Sequence, residues 1–272
     1  MGEEHRMVIP GIQALVPDVC DFVVAIARRA NLNDRAVYHC QMAVDEACTN
    51  IIEHSFNPND LSGQIEVICL NEPDRLTIRI LDNGPPFDPT RHTEPDPQMP
   101  LSEREPGGWG IYFIKKMMDT VEYALEDGRN CLTLTKYKTE DNLASPIELS
   151  PDTPMRVQRV QGDIWQITPP PRLDSNAAPA LENLLDAQIE AGRVNLLVDM
   201  SQITFISTSG LKVLVNAWRN TRKHGGHLAL AALRPTIREV FETVGFDQFF
   251  AIHESIPGAL AEFRTRSSPP NP

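Results

Sequence analysis

At 272 residues the chain is longer than one average domain, so two are expected. Apolar residues make up 41% and charged residues 23%, as in a globular protein. No apolar run approaches the ~20 residues that cross a bilayer, and the acidic start "MGEEHRMVIPG" is not a secretory signal. The net charge of −12 argues against a direct nucleic-acid partner, which needs a basic footprint. The expectation is a cytoplasmic protein that engages neither nucleic acid nor membrane.

The charge is uneven. Residues 1–140 carry 13 basic against 23 acidic side chains, a net of −10, whereas 141–272 carry only −2. Between the halves lies "TEDNLASPIELSPDTP" (139–154), whose prolines and small polar residues mark a linker. The predicted organisation is therefore a domain over 1–140, a linker over 141–153, a domain over 154–266 and a disordered tail over 267–272. Five cysteines, all in the first half and without metal-ligand spacing, read as reduced and buried small apolar residues.

In chain order, "HRMVIPG" reads as a short strand and "LVPDVCDFVVAIARRAN" as a helix that stops near Asn31. "DRAVYHCQMAVDEACTNIIEHSF" is a long helix, with Val37, Val44, Cys48, Ile51 and Ile52 in an apolar stripe. "GQIEVICLN" and "RLTIRILDNG" alternate as strands around the polar turn "NEPD", a hairpin signal. The polar, proline-rich segment "PPFDPTRHTEPDPQMPLSEREPGG" (85–108) is too long for an ordinary turn, and loops of that length are usually functional or mobile. "GIYFIKKMMDTV" is a helix opening on glycines, and "VEYALEDGRNCLTLTKY" is a second hairpin. The first half is thus an α/β sandwich, a mixed sheet with helices on one face. In the second half strands "MRVQRVQ" and "DIWQITP" precede the helix "AAPALENLLDAQIEAG". Then follow the strand "VNLLVDM", the helix "SGLKVLVNAWRNTRKHG", the strand "HLALAAL", the helix "TIREVFETVGF" and a short end "FFAIHES". This alternation describes a small α/β domain with a partly parallel sheet.

Three segments of the first half fit one site. In "DEACTNIIEH", Glu46 and Asn50 are spaced i, i+4 and project from one helix face. Two oxygen donors so placed suit Mg²⁺, or a general base beside a metal ligand; they equally suit a solvated face. In "ILDNGPPF", Asp82 ends an apolar strand before Asn83-Gly84. That is strong turn chemistry, and also a place where a carboxylate accepts from the exocyclic amine of adenine while Gly84 lets the base approach. In "PGGWGIYFIKKMMD", Gly107, Gly108 and Gly110 open a helix, whose free N–H groups suit phosphate. No Walker lysine follows, so this is not a P-loop.

The combination "AVDEACTNIIEHSF", "LDNGPPFDP", "GGWGIYFIKKMMDTVEY" and "NCLTLTKY" resembles the histidine-kinase-like ATPase superfamily in its anti-sigma-factor serine kinase branch, over about residues 5–138. The resemblance implies ATP in a cleft between the long helix and the sheet. It implies Asn50 on Mg²⁺, Asp82 on adenine, the glycines 107–110 at the phosphates and 86–106 as a lid. Glu46, one helical turn from Asn50, is then the candidate general base. Thr133 or Thr135 is a candidate for reaching the nucleotide from the last strand, beside the plain reading of both as strand formers. Only one strand and one helix precede the long helix, which leaves no room for the helical hairpin of a phosphohistidine kinase.

The run "LLVDMSQITFISTSGLKVL" resembles the STAS domain of anti-sigma-factor antagonists, with "HGGHLALAAL" and "REVFETVGFDQFF" adding to it, over about 154–265. The family carries a phosphorylated serine at this strand-to-helix junction. Aligning "STSGL" on its pattern makes Ser209 the acceptor position, with Thr208 second. Ser207 stands where an acidic residue is usual. Locally the same hydroxyls suit a helix N-cap, worth about 1 kcal/mol, and a helix start near Thr208 or Ser209 would favour an added phosphate.

Together these readings describe a bacterial partner-switching regulator. It is an ATP-dependent protein-serine kinase acting on the serine of an STAS antagonist, its own or a partner's, with a sigma factor as a further partner and a homodimer through the kinase half. The rival is an ATP-binding docking module without productive transfer.

Overall fold

The computed structural model describes residues 2–56, 63–91, 95–97, 99, 109–139 and 155–267. The predicted linker, and the tail beyond Ser267, lie outside them. The chain divides into two units, the first built from the strands and helices before residue 140, the second from those after 154.

The first unit runs β1 (Glu3–Pro10), α1 (Val16–Arg29), α2 (Asp34–Ser55), β2 (Gln64–Asn71), β3 (Arg75–Asp82), α3 (Trp109–Met117), β4 (Thr120–Glu126) and β5 (Arg129–Tyr137). The sheet order is β1-β2-β3-β5-β4. Every pairing among the described residues is antiparallel, so the sheet expected to be mixed is not; the connection through α3 carries the chain past β5 to the edge strand β4, and β5 returns beside β3. One face is apolar with period two: Ile65, Val67 and Cys69 of β2, Leu76, Ile78 and Ile80 of β3, and Leu132 and Leu134 of β5 pack under α1 and α2.

The corner between α1 and α2 follows from "ANLND". Asn31 adopts a left-handed φ of 60°. The N–H of Leu32 then donates to Ala27 O at 3.1 Å and that of Asn31 to Arg28 O at 3.0 Å, which closes α1 in a Schellman turn. Two residues later Asn33 Oδ1 accepts from Ala36 N at 2.9 Å and caps α2. This corner sets the register of the 22-residue α2 over the sheet, and with it the direction of Glu46 and Asn50.

The second unit has a five-stranded sheet in the order β12-β11-β9-β7-β6. Its strands are β6 (Arg156–Gln161), β7 (Ile164–Thr168), β9 (Asn195–Asp199), β11 (His227–Ala231) and β12 (Ala251–His253). All pairs are parallel except β6–β7. The central strands β9 and β11 are buried on both faces, as parallel strands are, with Leu196 to Val198 and Leu228 to Ala231 wholly inaccessible. Helices α4 (Ala178–Glu190), α5 (Thr208–Lys223) and α6 (Pro235–Thr243) occupy the expected segments. Two features were not expected. Arg172–Leu173 (β8) and Phe205–Ile206 (β10) form a two-residue parallel pair leading into α5. The described residues also end on α7 (Ile256–Ser267), whose Ala259 and Phe263 seal Leu197, Ala229 and Ala231.

Candidate active site

Helix α2 and the ends of β3 and β5 border an open cleft. Ala47, Asn50, Ile51 and Ser55, at helical spacing, form its α2 wall; Asp82, Asn130 and Leu132 form its sheet wall. Ile114 of α3, Tyr123 of β4, and Phe87 and Pro89 complete it.

At one end lies Asp82, only 5% exposed. Its Oδ1 accepts from Gly84 N–H at 2.8 Å and from Asn130 Nδ2 at 2.9 Å. Burial pushes its pKa above the ordinary carboxylate value, and these two donors oppose that rise. Gly84 is required for close approach, since a Cβ there would stand 2.6 Å from Ser55 Cβ and 2.9 Å from Asp82 Oδ1. At the other end α3 begins, and Gly110 lies against α2: a Cβ on it would overlap the Glu46 carboxylate and come within 3.3 Å of Asn50 Nδ2. From Ser55 back to Glu46 is nine residues of α2, or about 13 Å along the axis. Asp82 lies in the cleft wall and Glu46 one helical turn before the lining residue Asn50, so the two carboxylates stand apart on the scale over which a nucleoside triphosphate extends.

Glu46, Asn50 and Gly110 are thus brought together, and Asp82 and Gly84 meet at the far end. Gly107 and Gly108 lie outside the described residues. Asp45, 1% exposed, faces α1, where the Cys20 thiol stands 3.7 Å from its Oδ1. Thr133 is not in the cleft. Strand alternation places it with Cys131 on the face opposite Leu132 and Leu134, between Arg79 and Glu122 in register, its hydroxyl 3.8 Å from Cys131 Sγ. Thr135 shares that parity. The polar residue that β5 does bring to the cleft is Asn130, the register partner of Asp82. The sequence signal for it was available: Asn130 lies two and four residues before the apolar Leu132 and Leu134, hence on their face.

At the second candidate site, Ser207 caps α5. It is 1% exposed, and its Oγ accepts from Gly210 N–H at 3.4 Å. The position where an acidic residue was expected is therefore a buried cap. Thr208 and Ser209 sit half-buried on the first turn of the helix. Ser207 N–H donates to Leu173 O at 3.0 Å, so the β8–β10 pair fixes where α5 starts.

The first unit is thus an α/β sandwich with a cleft between a long helix and its sheet, with Asp82 and Asn50 in the cleft wall. Residues 9–136 match the histidine kinase-like ATPase domain and residues 156–259 the STAS domain. Over 117 residues the chain is 30% identical to the serine/threonine-protein kinase BtrW of Bordetella bronchiseptica, 43% of this chain and 82% of that protein. Over 119 residues it is 36% identical to the serine-protein kinase RsbW of Listeria monocytogenes, 42% of this chain and 74% of that protein. It is also 36% identical over 93 residues to BtrV of B. bronchiseptica, which carries the name of an anti-sigma factor antagonist, 34% of this chain and 80% of that protein. The chain belongs to the serine-protein kinases of the histidine kinase-like ATPase family and joins to that kinase domain an STAS domain. Among the described residues no helix is long and apolar enough to cross a membrane.

Proposed function

We propose that this chain is a partner-switching regulator whose kinase half, residues 1–140, transfers the γ-phosphate of ATP to a serine of an STAS domain. The observation that carries the reading is the Glu46 carboxylate, 5% exposed and set against Gly110 beside Asn50. A domain that only binds nucleotide needs Asp82 and a phosphate cradle; it does not need a second carboxylate aligned at the opposite end. In the step, the serine hydroxyl oxygen bonds to the γ-phosphorus and the bond from that phosphorus to the ADP oxygen breaks. The hydroxyl proton passes to Glu46, leaving phosphoserine and ADP. Asp82 and Gly84 take the adenine and Gly110 meets the phosphates, the role the sequence also assigns to Gly107 and Gly108, which fall outside the described residues.

Mg²⁺, when bound, neutralises charge on the phosphates. Among the described residues no three His, Cys, Asp or Glu side chains converge to hold a metal unaided. The Asn50 amide oxygen, a hard donor on the cleft wall, fits an ion that keeps most of its shell as water and phosphate oxygen.

The acceptor within this chain is Ser209, with Thr208 second. Ser207 is excluded by burial and by its cap bond. Ser209 lies on the first turn of α5, where a phosphate meets the positive end of the helix. The partner class is an STAS domain, either residues 154–266 of the same chain or a separate antagonist, and the short linker favours encounter in cis. Two of the relatives, a kinase and a protein named as an antagonist, are separate proteins of one organism. That pairing supports reading this chain as both roles joined. A sigma factor as competing ligand of the kinase half, and a homodimer through that half, complete the proposed assembly.

The test is incubation with Mg·ATP followed by intact mass measurement of wild type, Glu46→Gln and Ser209→Ala. One added phosphate is expected in wild type and none in Ser209→Ala. Glu46→Gln should still bind ATP but transfer about 10²–10⁴-fold more slowly. Transfer confined to an added STAS protein would place the acceptor in trans. ATP binding with no transfer to either would leave only a docking module.

A further inference from the structure

The Asp82 end of the cleft contains a side chain that none of the roles above uses. Asn130 makes bonds from both ends of its amide. Its Nδ2 donates to Asp82 Oδ1 at 2.9 Å, to Pro85 O at 3.1 Å and to Gly84 O at 3.3 Å. Its Oδ1 accepts from the Tyr123 hydroxyl at 2.7 Å and from Phe87 N–H at 3.3 Å. The amide orientation is thereby determined. Turned over, it would point an NH₂ at the Phe87 N–H and a carbonyl oxygen at a carboxylate and two backbone carbonyls. Tyr123 holds its proton firmly, since partial desolvation and the charge of Asp88 raise its pKa, so its O–H remains a donor.

The consequence falls on Asp82. Both protein donors to its carboxylate engage the same oxygen, Oδ1. The carboxylate is thus held in one rotation by Asn130 and Gly84. The same amide ties residues 84–87 to β5, and Phe87 from that turn lines the cleft with Asp82. One buried side chain, 5% exposed, therefore sets both the acceptor that reads the base and the turn that borders it.

We propose that Asn130, locked by Tyr123, is the positioning residue for base selection. It orients Asp82 so that the cleft discriminates in favour of a purine bearing an exocyclic 6-amine. The proposal rests on the reading of the cleft as an adenine-nucleotide site. Losing the amide frees Asp82 to rotate and unties the 84–87 turn. The penalty then falls on the ligand contact that depends on Asp82, not on phosphate contacts at the far end of α2.

The experiment measures Kd for ATP and for purine riboside 5′-triphosphate, which lacks only the 6-amine, on the full chain. Wild type, Asn130→Leu and Tyr123→Phe are compared, with melting temperatures recorded for each. Wild type should prefer ATP by about tenfold or more, the scale of one hydrogen bond to a charged group. Asn130→Leu should lose most of that preference: ATP weakens about tenfold while the analogue stays within about twofold. Tyr123→Phe, which removes one oxygen from a partly exposed ring, should narrow the preference about threefold. If Asn130→Leu fails to fold, Tyr123→Phe decides alone. An unchanged ATP-to-analogue ratio in the folded variants overturns the proposal, as does equal weakening of both ligands, which marks a merely structural role. If wild type binds neither triphosphate, the adenine-site reading itself fails, and that result is distinguishable from both.

Discussion

Gly110 and Gly210 stand on the first turns of α3 and α5, the two helix starts at which phosphate is expected, and neither has the positive φ that demands glycine. Both are needed for close approach, to different kinds of neighbour. Gly110 backs onto the ends of two side chains, Glu46 and Asn50. Gly210 backs onto main chain: a Cβ there would lie 2.5 Å from Leu173 O, 2.8 Å from Leu173 Cγ and 3.0 Å from Ile206 Cγ1. A side-chain terminus can move aside at little cost to the fold, whereas a strand backbone held in a sheet cannot. On the proposed function the glycine of the kinase half therefore protects chemistry, and that of the STAS half protects structure.

The largest expected effect comes from Gly110→Ala. The added methyl displaces the Glu46 carboxylate, and a shift of about 1 Å in a catalytic group costs on the order of 100-fold in rate. The melting temperature should stay within a degree or two of wild type, because only a flexible side chain has to give. Phosphotransfer to an STAS substrate, read beside thermal unfolding, checks both parts. Loss of stability without loss of rate would erase the contrast between the two glycines.

Gly210→Ala should behave in the opposite way. Overpacking against the Leu173 carbonyl costs about 1–3 kcal/mol. Alanine recovers at most about 1 kcal/mol in helix propensity, and less on a first turn. A net destabilisation of the STAS unit follows, seen as an earlier denaturant midpoint, with ATP affinity of the kinase half unchanged. If the variant were as stable as wild type, β8 would have to yield, and the two-residue β8–β10 pair would not be what fixes the start of α5.

The same contrast explains what could be read before the fold was in hand. The nucleotide cleft is assembled from segments far apart in the chain, yet each left a mark: Glu46 and Asn50 at helical spacing, Asp82 ending an apolar strand, and Gly110 opening a helix. Their order made the combination specific where each piece was weak. The ST-rich junction is local, and local sequence left it open between a cap and an acceptor. The structure divides the two roles, giving Ser207 the cap and leaving Ser209 half-buried on the first turn. Thr133 falls on the face away from the cleft because it alternates in phase with Cys131, opposite the apolar Leu132 and Leu134, a phase that the register Asp82↔Asn130 fixes. Helix α7 went unread although Ile256, Ala259, Leu260 and Phe263 stand at helical spacing, because Pro257 and Gly258 in its first turn read as a break.

The smallest effect separates the cost of the site from the cost of the fold. Burial raises the pKa of Asp82, so in the nucleotide-free protein the folded state holds that proton more tightly than the unfolded chain. Its contribution to stability is therefore fully present below the ordinary value of 3.8 and declines as pH rises through the folded pKa. Ionising this carboxylate is a burden on the fold, which on the proposed function is held for the ligand. Asp82→Asn keeps an oxygen for Gly84 N–H and Asn130 Nδ2 but removes the charge. The variant should bind ATP poorly, yet unfold at pH 7 at least as late as wild type, with the difference closing as pH is lowered towards 3.8. Denaturant titrations at several pH values without nucleotide check this. If Asp82→Asn unfolded earlier at every pH, the carboxylate would belong with Gly210 among the groups that protect structure, and the division between the two halves would not hold at the base-reading end of the cleft.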